Sequence, residues 1–348
     1  MQNIMQFPDI EKCASSQPAR YFISQTPRMG SSAIYAPALC VTKQGTQTRA
    51  CILRQFCPEK LRKHAQPSPY TGAFSLRPSS GFFISEWNDL KKQFEHEPGL
   101  NREILAHQEG FPAVFPISPV NGRDDLHVIY SGDAIPLANF AAARRQQALT
   151  SDYLSLCLSI VSRLLHSVST VHKVCLHLNI TPHTVYIDSG GCTPERLNAS
   201  SPFSVTLLDL TAARRKEELL LPRAGLSLYI SGTYTYGFSD TRLCDILTLS
   251  SRFSEIDDYL KRYPIDERSD LFSIAAVAYF LLTGQSPRTD CETFHALLPA
   301  EGPLRSSMFR RRFEDLLSKA LRLSGGYARA ESALSEFSEE LYTIQQQL

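Results

Sequence analysis

Short apolar runs broken by polar turns fill the first third of the chain, and longer apolar stretches with three- and four-residue spacing fill most of the remainder. The runs AIYAPALCV and TRACILRQF flank the polar turn KQGTQ, so residues 35–56 predict an antiparallel hairpin. Residues 58–80 hold PSPYTG and RPSSG beside the charged patch EKLRKH, and they read as an inserted loop with at most one helical turn. Helical spacing returns over 85–108, with Ser85 as N-cap and Pro98-Gly99 dividing the stretch, so that LNREILAHQ forms a second short helix. Beyond Pro112 the runs AVFPI and DLHVIYSG predict two strands, and the polar junction over 132–136 reads as a hinge to a second lobe. Asp152 then caps a helix whose stripe is Leu154, Leu158, Val161, Leu165 and Val168. TVYID and SVTLLDL predict a pair of strands joined by DSGGCTPERLNASSP. The apolar run over 271–282 is interrupted by Ser273 and falls short of the ~20 residues a bilayer requires, so it predicts a buried core helix and no membrane span.

Composition narrows the function classes. A chain of 348 residues can bury a sizeable core as one bilobal domain or two ordinary ones. Its 36 Lys and Arg nearly balance 35 Asp and Glu, so the formal charge of +1 gives no field that steers the chain to nucleic acid or to an anionic membrane. The nine cysteines include no CxxC pair and their number is odd, which points to reduced thiols and a cytoplasmic location. The first residues, MQNIMQFPDIEKCASSQPAR, show no basic segment followed by an apolar run, so no secretory signal is expected. His166, His172 and His183 lack zinc-site spacing and read as ordinary surface or core histidines. No internal repeat is visible.

One constellation carries more. LLHSVSTVHKVCLHLNITPHTVYI followed by VTLLDLT resembles the catalytic loop and metal-binding turn of the protein-kinase family, where HRDLxPxN precedes one strand and DFG follows the next. The matching positions are His177, Leu178, Asn179, Pro182 and Thr184, then Asp209, Leu210 and Thr211. In the family the loop aspartate orients the substrate hydroxyl and the asparagine holds a second magnesium; here Asn179 and Thr184 stand in those two places. GTYTYGFSD is similar to the GTxxYxAPE segment, with Asp240 at the glutamate position. IDERSDLFSIAAVAYFLLTGQSP resembles the SDxxSLGxxLYELLTGxxP helix. The resemblance implies that Asp270 ties the catalytic-loop backbone to the large lobe, that His177 packs in the core with a bond to the backbone, and that Arg329 in SGGYARAESALSEF pairs with Asp240.

The front of the chain resembles the family more loosely. The glycine-rich loop that covers nucleotide phosphates falls on MGSSAIY, which keeps only Gly30. The third-strand lysine position falls on Leu53, with Ile52 or Arg54 as the neighbouring alternatives, and none of the three is lysine. Glu103 resembles the helix glutamate that pairs with that lysine, and it would need another partner such as Arg54. Tyr186 takes the place of a small aliphatic residue on the floor of the adenine pocket, where its ring would fill the space.

The expected fold is therefore α+β and bilobal: a small antiparallel sheet with one main helix, then a larger, mainly helical lobe. The boundaries fall at 1–28 for an N-terminal extension, 29–133 for the small lobe with an insertion at 58–80, and 134–348 for the large lobe with insertions at 188–203 and 241–262. Loss of the lysine, the loop aspartate and a metal ligand implies a pseudokinase that works as a scaffold or allosteric regulator through protein partners, with no nucleic acid. Two alternatives stay open: an atypical active Ser/Thr kinase or ATP-binding phosphotransferase, and a ligand-free structural subunit. Asp209 reads either as a ligand for one Mg ion, through which ATP binds weakly, or as a satisfied polar group at a strand end. The charged strip RRKEELLL takes the place of an activation loop. It reads as a solvated turn or as a partner-binding strip.

Overall fold

The computed structural model describes residues 19–30, 32–42, 48–68, 72–107, 112–116, 126–130, 134–144, 149–231, 234–248, 253–287, 298–321 and 326–347. The chain divides into two compact units. One comprises Met1–Asp133, Asp209–Ala212 and Ile230–Thr233, and the other Ala134–Leu208, Ala213–Tyr229 and Tyr234–Leu348.

In the first unit, β1 (Ala19–Ile23), β2 (Arg28–Met29), β3 (Ala33–Thr42) and β4 (Thr48–Phe56) are followed by β5 (Ala65–Ser68) and β6 (Gly72–Pro78). Helix α1 (Ile84–Leu105) and strands β7 (Ala113–Pro116) and β8 (Leu126–Tyr130) complete it. The main sheet runs β1-β3-β4-β8-β7 with β2 paired to β3, and every pairing is antiparallel. Three expectations change here. Strand β1 lies inside the stretch expected to precede the domain. Within residues 58–80, Glu59–His64 form a 3-10 turn and β5 pairs antiparallel with β6, so the described part of the segment is regular structure rather than a plain loop. Helix α1 begins at Ile84, one residue before the expected cap, and it passes through Pro98-Gly99 without a break.

Packing explains that continuity. Pro98 removes one backbone donor from the helix, but Trp87, Leu90, Phe94, Leu100 and Ile104 are buried on both sides of it, and this burial outweighs one missing bond. Phe56 of β4 lies 5.1 Å from Trp87 and 5.4 Å from Phe94, ring centre to ring centre. Beyond the proline, Asn101 donates to the Pro112 carbonyl and accepts from the Val114 amide, both at 2.8 Å, which fastens the last helical turns to β7.

The second unit opens with β9 (Ile135–Pro136), α2 (Leu137–Arg144), α3 (Ser151–Val171), β10 (Val185–Asp188) and β11 (Ser204–Leu207). It continues with α4 (Lys216–Leu219), α5 (Ala224–Ser231), α6 (Thr241–Thr248), α7 (Phe253–Arg262), α8 (Glu267–Thr283), α9 (Ser307–Leu321) and α10 (Ala330–Gln345). The expected strand pair is β10 with β11, antiparallel, and β9 adds to it. Helix α3 starts two residues earlier than expected: the Thr150 hydroxyl caps it by accepting the Tyr153 amide at 3.2 Å, and Asp152 sits within the first turn. By length and composition α3 could cross a membrane. Its apolar residues are instead buried among α8, β11 and α10, so its composition is that of a core helix. Helix α8 is the buried helix expected over 271–282; Asp266 caps its start, and Gly284 with φ +71° ends it in the left-handed region that glycine adopts freely. Of the two insertions, 188–203 is anchored by Arg144, whose guanidinium donates to the carbonyls of Glu195 and Leu197, and 241–262 carries α6 and α7.

Candidate functional site

In the first unit a buried polar cluster forms around Asp209. Its backbone has φ +69°, a left-handed conformation that costs a non-glycine residue about 1 kcal/mol or more and persists only when the surroundings fix it. Its carboxylate supplies that fixing. Oδ1 accepts from Ser32 Oγ at 2.9 Å and from Arg54 Nη2 at 2.9 Å, and Oδ2 accepts from the Tyr35 hydroxyl at 2.7 Å and from Ser32 Oγ at 3.0 Å. An ionised carboxylate has about four acceptor sites, and these donors together with the Thr211 amide at 3.4 Å occupy them.

Arg54 is the hub. It is wholly buried at the inner end of β4; Nη1 donates to Glu97 Oε2, Nη2 reaches Asp209 and, at 3.3 Å, Ser32 and Thr211, and the guanidinium carbon lies 5.1 Å over the Tyr35 ring and 5.2 Å over Phe94. Glu97 Oε1 accepts the Leu210 amide at 2.8 Å, and His127 Nδ1 lies 3.6 Å from Oε2 while its ring stacks on Phe94 at 4.0 Å. Burial alone would raise the Glu97 carboxyl. Arg54 and His127 outweigh it and lower the group to about 2. Burial likewise pulls the Arg54 guanidinium down, yet Glu97, Tyr35 and Asp209 carry it above its ordinary value, so Arg54 stays a cation. Burial pushes the Tyr35 phenol well above the usual range, with Asp209 adding to the effect, so Tyr35 remains a donor.

Gly30 explains how the Tyr35 ring fits. A Cβ at Gly30 would overlap the ring edge, so glycine here serves the approach of a side chain. The Gly30 carbonyl accepts from Arg62 Nη2 at 2.6 Å, and Arg28 stacks on the Tyr35 ring at 4.3 Å.

Two sequence assignments move. Leu53, the expected lysine position, packs in the apolar core, and the neighbouring alternative Arg54 takes the inward place. Glu103 is exposed and does not pair with Arg54; Glu97, nearly two turns earlier on the same uninterrupted helix, does. The error followed from breaking the helix at Pro98. Ser32, Tyr35 and His127 had no sequence signal that set them apart.

The loop positions Asn179 and Thr184 lie in the second unit. The Asn179 amide donates to His177 Nδ1 at 3.2 Å, and the Thr184 hydroxyl donates to the Asn179 carbonyl at 2.6 Å and accepts the Thr181 amide at 2.9 Å, so Thr184 is spent on shaping the loop. Asp270 accepts the amides of His177 at 2.7 Å and Leu178 at 2.8 Å, with His172 Nε2 2.8 Å from Oδ2. These bonds hold Leu178 at φ +58°. Burial would raise the Asp270 carboxyl, but His172 and then His177 outweigh it and lower the group. His172, expected to be an ordinary surface or core histidine, thus joins the Asp270 cluster. Tyr186 is fully buried on β10, opposite Thr206 and Pro136.

The expected pair of Asp240 with Arg329 does not form. Asp240 instead accepts from Arg242 Nε at 2.9 Å, Nη2 at 2.7 Å and Ser269 Oγ at 2.6 Å, while Arg329 is exposed at the start of α10. A partner two residues away on the same helix start can be fully buried with Asp240, and Arg329 is not needed there.

The kinase domain of Mycobacterium tuberculosis PknI aligns with a TM-score of 0.53 at 13% identity, covering 93% of this chain and 96% of that one. A double mutant of the same domain gives 0.52 at 13%, covering 93% and 95%, and a further PknI kinase-domain structure gives 0.51 at 14%, covering 94% and 96%. The fold is that of a protein kinase domain. The chain matches no family model and no curated protein. Among its described residues no cluster of three His, Cys, Asp or Glu side chains is placed to hold a metal ion.

Proposed function

We propose that this kinase-like chain is a pseudokinase, a domain that works by binding protein partners and does not transfer phosphate. The observation that carries the proposal is the saturated carboxylate of Asp209. In a phosphotransferase that position holds magnesium against the nucleotide phosphates. Here Ser32, Tyr35 and Arg54 take its oxygens, and the Arg54 guanidinium places a fixed positive charge where a cation would have to approach. The residues present do not fit a magnesium–nucleotide complex. Asn179 in place of a carboxylate and Thr184 bonded into its own loop support the same reading.

Protein binding is supported by what the chain presents to solvent. Leu220 and Leu221, adjacent in the chain, are 83% and 59% exposed, a pair of large apolar side chains of the kind that mark contact surfaces when they cluster. The cysteines of the described residues are free thiols and most are buried, in keeping with a cytoplasmic protein.

The deciding assay is turnover of γ-phosphate by the full chain with magnesium and ATP, run beside Asp209→Ala. Equal background in both is expected. Turnover above background that Asp209→Ala abolishes would establish an active enzyme and remove the proposal.

A further inference from the structure

Residues 63–84 of the first unit have no part in the Asp209 cluster. A second 3-10 turn, Gly81–Phe83, leads from the β5–β6 hairpin into α1. On this turn Phe82 is 87% exposed, and Ile84, the first residue of α1, is 50% exposed. Lys63 near the end of the first 3-10 turn and Arg77 on β6 are exposed as well.

The projection stands on fixed backbone. Ser80 caps the turn, its hydroxyl accepting the Phe82 amide and its carbonyl the Phe83 amide, each at 3.3 Å. The Phe83 ring stacks on His64 at 4.1 Å and meets the Phe82 ring edge-on at 5.1 Å. The Ser79 amide donates to the His64 carbonyl, Ala65 pairs with Pro78 and Gln66 with Arg77, so the stretch that carries Lys63 runs beside the stretch that carries Arg77. Phe82, Ile84 and the two cations therefore form one patch.

Charge and shape choose the partner. Lys60 is half-buried beside Glu86, and Glu59 stands at the far end of the first turn. Lys63 and Arg77 differ, because among the described residues neither is held in an ion pair. Two such cations flanking an apolar tip complement an anionic surface. A side chain as exposed as Phe82 has almost nothing beside it and so forms no wall of a groove along which a peptide could lie. A fluid apolar phase closes around it instead, while the stems of Lys63 and Arg77 lie along that phase and their charged ends reach acidic headgroups. Ile84 has no π-face on which a nucleic-acid base could stack, but it gains from hydrocarbon. The formal charge of +1 for the whole chain supplies no long-range attraction, yet contact at a membrane acts within about 10 Å, where the local cations decide.

From this combination we infer that the chain touches the surface of an anionic phospholipid bilayer, with Phe82 and Ile84 entering the headgroup region and Lys63 and Arg77 meeting the phosphates. The inference does not depend on whether the Asp209 site takes nucleotide.

Flotation of the full chain with phosphatidylcholine vesicles, with and without about one-third phosphatidylserine, tests it. Wild type is expected to float with the anionic vesicles, less so as salt is raised, and to stay behind with the neutral ones. Phe82→Ser is expected to lower the partition coefficient at least about fivefold, and Lys63→Glu combined with Arg77→Glu at least about tenfold. Phe82→Trp, better suited to the membrane–water boundary, is expected to bind more tightly than wild type. Thermal melting that matches wild type qualifies each variant as folded. A wild type that does not float with anionic vesicles would overturn the inference, and if it bound polyglutamate instead the patch would belong to an acidic protein. Flotation unchanged by Phe82→Ser, or by the two charge reversals, would overturn it as well.

Discussion

Arg54 donates to Glu97 through one terminal nitrogen and to Asp209, 2.9 Å away, through the other, so a single buried cation lies between two buried carboxylates. The arrangement joins β4, α1 and the turn after Asp209 by charge as well as by packing. Buried ion pairs add little over well-packed apolar groups, but losing one member leaves the others uncompensated, which is costly.

Arg54→Ala is accordingly expected to lower unfolding free energy by about 3–5 kcal/mol in denaturant titration. Arg54→Lys recovers only part of this, because an ammonium group cannot reproduce the planar fork that serves Glu97, Asp209, Ser32 and Thr211 together. An Arg54→Ala protein as stable as wild type would contradict the buried cluster.

The depressed Glu97 carboxyl sets a pH dependence. Its folded value of about 2 lies below the ordinary 4.5, so its contribution is fully present above pH 4.5 and is lost as pH falls toward 2. Asp270 is lowered too and acts in the same direction. Stability should drop through that acid window, and Glu97→Gln, less stable at neutral pH, should show a shallower drop. Parallel acid profiles for the two proteins would count against the assignment.

Asp270→Ala removes the acceptor for the amides of His177 and Leu178. Two unsatisfied buried donors cost about 2–6 kcal/mol together, and Leu178 also loses the bond that holds its positive φ. Calorimetric melting measures the loss; a change no larger than that of a surface substitution would contradict the role.

Arg242 and Arg329 make a paired test of the Asp240 site. Arg242→Ala strips a buried carboxylate of its cation and should cost about 3–5 kcal/mol, whereas Arg329→Ala on the exposed helix start should stay within about 0.5 kcal/mol. The reverse order in chemical denaturation would restore the pair expected from sequence.

The large-lobe elements were legible because their signals are local. Asp266 before ERSDLFSIAAVAYFLLT and Gly284 after it mark both ends of α8. Asp270, whose partners His177 and Leu178 lie more than 90 residues away, was legible only through the resemblance of its helix to a known motif. The small-lobe register was not legible. Residues 51–56 of β4 are all buried, so the alternation that separates inward from outward positions is missing, and Leu53 and Arg54 were equivalent on paper. Pro98 carries a strong break signal in isolation, which tertiary burial of α1 overrides, and the helix glutamate was therefore sought at Glu103 instead of Glu97. Tyr35 and Ser32 act through a positive-φ turn more than 170 residues away in sequence, a closeness that no local pattern encodes.

The most direct measurement of the central claim is the melting temperature of the full chain with and without saturating magnesium and ATP, beside Asp209→Ala. A ligand stabilises only a state that binds it. With Ser32, Tyr35 and Arg54 holding Asp209, no shift is expected in wild type. A clear upward shift in wild type that disappears in a folded Asp209→Ala protein would contradict the claim.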